Sequence, residues 1–217
     1  MQVAGLTFMH LLVLVYWLGG DLGAFYASWR LTAPNASPAL RLAAAKTIAD
    51  MDMAPRTALI LALPSGLVLA VAKGWLAMSW AWVFGVVLAS LAWLAIAWRL
   101  HVTHGAGALR RVDLAIRWTA LVGLGGAGAA GLAGWLALPA FIAAKLLTLA
   151  AAIALGLLIR ARLGGFGEAL AGLAGPAPEA AVLRIRALMR AVRPMVLGIW
   201  ALLALAAFLG LWAPARL

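Results

Sequence analysis

Runs such as ALILALPSGLVLAVA (58–72) and ALLALAAFLGLWA (201–213) leave this chain little choice of solvent. Hydrophobic residues make up 67% of the 217 and charged residues only 11%, with a mean hydropathy of +1.07. Soluble domains carry about a quarter of their residues as charges. The fold class expected is therefore an all-α integral membrane protein, forming one transmembrane domain over 1–217. The first apolar run begins without a basic residue between Met1 and Phe8 and continues past the length of a signal core, so it is expected to persist as a span. The sequence has no cysteine, which excludes disulfides, thiolate ligands and thiol nucleophiles.

A span needs about 20 residues at about 1.5 Å each. Six segments qualify, at 3–27, 56–71, 79–100, 113–134, 139–160 and 194–212, and they predict a six-helix bundle. The second carries Pro64-Ser65-Gly66 near its middle, a triplet expected to kink or unwind it. Asp52 and Pro55 suit its start as cap and first-turn proline. Of the 17 Lys and Arg, 14 fall in or beside the first, third and fifth connections, leaving Lys73, Lys145 and Arg216 elsewhere. By the positive-inside rule those connections are cytoplasmic and both termini lie outside, in the periplasm of a bacterial inner membrane. Trp75, Trp80, Trp135 and Trp212 then fall near the outer boundary, and Trp29, Trp98 and Trp118 near the inner one. The net charge of +11 reads as a topology signal and not as a nucleic-acid surface, because no separate basic domain exists.

Two inner connections are long enough to fold. In 37–51, Leu40, Ala44, Ile48 and Met51 share a helical side, with Arg41 and Lys46 off it. In 180–193, apolar and basic residues alternate as in a helix lying against anionic lipid. A docking surface for a protein partner is the other reading. The fourth span has a small-residue stripe at Gly123, Ala127, Gly131 and Gly134, suited to close helix contact within the bundle, with a membrane partner or in a homodimer. No strand precedes these glycines, which excludes a dinucleotide site. No internal repeat is evident.

Few residues could carry chemistry. His10 and Asp21 are eleven positions apart, about 1,100° of helix rotation and about 16 Å of rise, so with Trp17 they form one stripe without touching. His10 suits a haem ligand, since one imidazole nitrogen can bind iron while the other is fixed by a hydrogen bond. A hydrogen-bonded packing histidine and a proton-relay or substrate contact are the other readings. Lys145 lies at a depth like that of His10 and could neutralise an anionic group or snorkel to the boundary. Asp21 reads as a structural ion pair with Arg30 or another inner-side arginine, or as a proton-path residue. Tyr16 and Tyr26 could lend hydroxyls or be boundary aromatics. His101 and His104 could hold a small metal only with help from Asp50, Asp52 or Asp113, since no HExxH or Glu-xx-His cluster exists.

The segment HLLVLVYWLGG, with His10, Trp17 and Gly20, resembles the first span of the HemJ-like protoporphyrinogen oxidases and the broader CopD-like membrane family. FYASWRL, with Phe25, Tyr26 and Arg30, is similar to the aromatic and basic end of that helix, and the likeness covers about the first third of the chain. Asp21 to Ala24 stand where the HemJ-like aromatic pair would follow the glycine, and the expected six spans exceed that family's four. The resemblance implies a b-type haem held by His10 and an electron-transfer role. Lys145 or Lys73 would then balance the propionates, Trp17 would pack beside the ring, and Asp21 would pass protons. A small-molecule transporter, its path lined by the second span, and an accessory or assembly subunit are the alternatives.

Overall fold

A computed structural model describes residues 2–103 and 107–212, and every regular element in them is helical. Eight α-helices follow in order among these residues: α1 Gln2–Thr32, α2 Pro38–Met51, α3 Met53–Ala72, α4 Trp80–Thr103, α5 Ala108–Leu132, α6 Ala140–Arg162, α7 Phe166–Ala171 and α8 Pro178–Leu211. Five stretches are long and apolar enough to cross a membrane: Gln2–Thr32, Pro38–Ala72, Trp80–Thr103, Ala140–Ala174 and Pro178–Leu211. The predicted fourth span corresponds to α5, which is not among them. Its first half carries Arg110, Arg111, Asp113 and Arg117, and five glycines dilute the rest.

The long helices close a ring in the order α4, α3, α1, α8, α6, α5, each packed on the next, with α5 returning to α4. Trp17, Ala58, Leu59, Ala152, Ile153, Ile199 and Leu203, from α1, α3, α6 and α8, fill its centre. The close approach of α1 to α3 depends on Gly20. A Cβ there would overlap the Ala54 methyl and stand 2.8 Å from Pro55 Cδ and 3.0 Å from the Met51 carbonyl. Gly20→Ala is expected to force the helices apart and cost about 1–3 kcal/mol, read as a lowered thermal midpoint in detergent.

The proline in the second span does not unwind it. Helix α3 runs unbroken through Pro64, and the Ser65 hydroxyl donates back to the Leu61 carbonyl at 2.6 Å. A helix in hydrocarbon loses one bond to an internal proline but would lose many more by opening.

At one end of the ring, α2, α7 and the start of α8 gather around the end of α1. Leu31, Ala44, Ala45, Ala169, Leu173, Ala181, Ile185 and Met189 form a second core there. Arg41, expected to lie off the apolar side of α2, is 3% exposed. Its guanidinium donates to the carbonyls of Leu31 at 2.5 Å and Ala33 at 2.7 Å. Arg186 reaches the Thr32 carbonyl at 3.2 Å, and Arg193 bonds the Ser28 carbonyl and Thr32 Oγ1 at 2.7 Å each while lying over the Trp29 ring. Arg41 and Arg186 satisfy carbonyls that a helix leaves open at its C-terminus, and all three arginines lie where its dipole favours cations. Two of the arginines that the alternating pattern assigned to lipid are thus occupied within the protein, whereas Leu40, Leu42 and Leu183 stay exposed.

The far end shows a repeat that the sequence reading missed. Helices α3 and α5 are each followed by Gly-Trp-Leu-Ala, at 74–77 and 134–137. Gly74 and Gly134 adopt φ +67° and +77°, and Trp75 and Trp135 each bond the carbonyl five residues back at 2.9 Å. Both are glycine-capped ends of the same kind, in which the left-handed residue closes the helix. The stripe on α5 is also shifted. Gly128 and Gly131 meet Ala143 and Leu147 of α6, while Gly123 has open space around it.

Candidate functional site

Helix α1 turns the His10–Trp17–Asp21 stripe toward the ring's interior. Trp17 is 4% exposed, and His10 and Asp21 are half-buried. Tyr16 and Tyr26 are exposed on the opposite side, so neither lends its hydroxyl inward.

His10 meets the Pro-Ser-Gly triplet of α3. Its Nδ1 lies 2.8 Å from Ser65 Oγ. When Ser65 gives its single hydroxyl proton to the Leu61 carbonyl, 2.6 Å away, the serine accepts here and Nδ1 is the protonated nitrogen. Nε2 then keeps its lone pair free. The imidazole also rests on Gly66, where a Cβ would stand 3.2 Å from Cε1 and 3.7 Å from Nε2. The triplet is therefore a seat for the ring: a serine to fix its tautomer and a glycine to admit it.

Lys145 of α6 is near enough to His10 for their charges to interact, and Lys73 is similarly near Lys145. The Lys145 ammonium lies against Gly210 of α8, where a Cβ would come within 2.6 Å of it. Lys73 sits over the Trp75 ring at 4.5 Å, and Trp75 meets Phe141 edge-on at 5.0 Å. The chain has six acidic residues, Asp21, Asp50, Asp52, Asp113, Glu168 and Glu179. Every ion pair among the described residues joins one of these to some other cation, and Lys73 and Lys145 are left without a carboxylate.

The ion pair expected for Asp21 does not form among the described residues. Trp17 and Trp200 place their indoles beside its carboxylate and Asp52 is near, yet Asp21 Oδ2 and Trp200 Nε1 both lack a hydrogen-bond partner. Of the acids proposed to help a metal at His101, Asp50 is near enough for their charges to interact but pairs with Lys46 at 2.7 Å, Asp52 pairs with Arg56, and Asp113 with two arginines. Among the described residues no group of three His, Asp or Glu is placed to hold a metal ion. His101 stands edge-on to Trp98 at 6.2 Å, and His104 lies outside the described residues.

Asp113 heads a cluster that the sequence reading passed over. It is 1% exposed and accepts from Trp93 Nε1 at 2.9 Å, Arg117 Nε at 3.0 Å and Arg160 at 3.3 Å, which ties α4, α5 and α6 together. The i,i+4 spacing of Asp113 and Arg117 was its visible signal.

Fold and interior polar groups together define a multi-pass helical membrane protein that holds one oriented imidazole between α1 and α3. No family model, no curated protein and no solved structure matches the chain.

Proposed function

We propose that this is a six-span inner-membrane protein that binds a b-type haem through His10 and serves an electron-transfer or oxidoreductase role. Both termini and the Lys73 end face outward in this reading, and the arginine-rich end faces the cytoplasm. The observation that carries it is the His10–Ser65 bond, because it commits Nδ1 and leaves Nε2 as the ligating nitrogen, the arrangement that metal-bound histidines require. Bound haem supplies one-electron chemistry. The chain's own residues do the rest. Ser65 orients the imidazole, Gly66 admits it, and Lys145 with Lys73 offers the propionates two ammonium groups that lack a carboxylate partner among the described residues. Trp17 closes the interior beneath, and Asp21 takes protons from the cytoplasmic side.

The test is a reduced-minus-oxidised absorbance spectrum of the detergent-purified protein expressed with ample haem. A sharp reduced b-type band that vanishes in His10→Ala is the expected result. A colourless wild type sinks the reading and moves the weight to transport or assembly.

A further inference from the structure

Most cations of this chain that contact protein groups meet either a single carboxylate or only neutral groups. Lys46, Arg56 and Arg184 each meet one carboxylate, while Arg41, Arg186 and Arg193 lie on carbonyls and hydroxyls at the end of α1. Asp113 is the exception. Its Oδ2 alone receives both Arg117 and Arg160, so this group carries a net positive charge. The group is also enclosed: Arg117 is 6% exposed, and the Arg160 side chain is 30% exposed. Arg56 and Asp52 adjoin Arg160, but as a pair they add no net charge.

The hydrogen-bond inventory points the same way. Arg117 uses only Nε and Arg160 only one terminal nitrogen, so their remaining N–H groups have no acceptor among the described residues. The Trp93 ring, with its centroid 5.5 Å from the Arg117 guanidinium carbon, softens the charge without neutralising it. The unused N–H groups are not among the buried polar atoms that lack a partner, so an anion can reach them, and planar N–H forks suit tetrahedral oxyanions.

We propose that Arg117 and Arg160 form a binding site for a phosphate-type anion, supplied either as the phosphodiester of an anionic lipid headgroup or as free phosphate. Arg160 is the entry residue, since it is the more exposed of the two, and Asp113 is the internal anchor that holds both forks in register. A single negative charge balances the group.

The experiment measures the thermal midpoint of the whole protein in two arms. In one, inorganic phosphate is titrated into protein in zwitterionic detergent. In the other, nanodiscs of phosphatidylcholine are compared with nanodiscs containing phosphatidylglycerol. Saturable stabilisation is expected, weakened about tenfold or more in Arg160→Gln and unchanged in Arg110→Gln, an exposed control. Arg160→Gln leaves Asp113 and Arg117 matched one to one, so the variant keeps its fold. Arg160→Lys, which retains charge and loses the fork, is expected to recover part of the loss. A response in the phosphate arm alone assigns the site to a free anion, a response in the lipid arm alone to a headgroup, and a response in both to either source. If Arg160→Gln tracks the wild type in both arms, the proposal is overturned.

Discussion

Replacing Asp113 with alanine is expected to cost the fold about 3–5 kcal/mol, the usual penalty for removing one side of a buried ion pair. The carboxylate is 1% exposed and is the common acceptor for Trp93, Arg117 and Arg160. Its loss strands two guanidiniums together and releases the indole N–H, so the penalty is desolvation without compensation more than lost attraction. The damage is placed where it matters. Helix α5 is not among the stretches long and apolar enough to cross a membrane, and this cluster fastens it to α4 and α6. Asp113→Asn keeps the volume and one acceptor oxygen and should fall between the alanine variant and the wild type. Thermal unfolding in one detergent decides the matter: an alanine variant that melts with the wild type would mean that the arginines find other acceptors.

If His10 ligates haem as proposed, Ser65→Ala is expected to weaken haem binding by about 10–100-fold without abolishing it. The serine is the partner that commits His10 Nδ1 at 2.8 Å. Without it the imidazole is free to rotate and to place its proton on either nitrogen, so the ligating form becomes one state among several. The variant keeps its helix, because the Ser65 hydroxyl bonds only its own preceding turn and His10. Haem titration followed by absorbance gives the affinity, and melting of the haem-free protein reports any loss of fold. A drop in melting with unchanged affinity would make Ser65 a packing residue and not an orienting one.

The helical period made the His10–Trp17–Asp21 stripe legible, because 100° per residue fixes which side chains share a face. It did not show what that face would meet. Ser65 and Gly66 were visible only as a helix breaker, since local propensity ranks proline and glycine without knowing that hydrocarbon penalises an open backbone. The burial of Arg41 was hidden for a related reason. Polarity assigns an arginine to the outside unless acceptors await it inside, and its acceptors are carbonyls of another helix. The twin Gly-Trp-Leu-Ala turns were in plain view but only four residues long, and it is their shared backbone geometry that makes them equivalent.

The arginine clasp on α1 also sets a timetable for synthesis. Ser28 and Arg193 are 165 positions apart. At about 5–20 residues per second, roughly 8–33 s pass before the ribosome supplies the partner of the first helix. Through that interval the open Thr32 carbonyl awaiting Arg186 must be served by water or lipid headgroups, while the Ser28 carbonyl is held by its own helix. The first helix is thus among the earliest segments made, and its lower end is among the last to be completed.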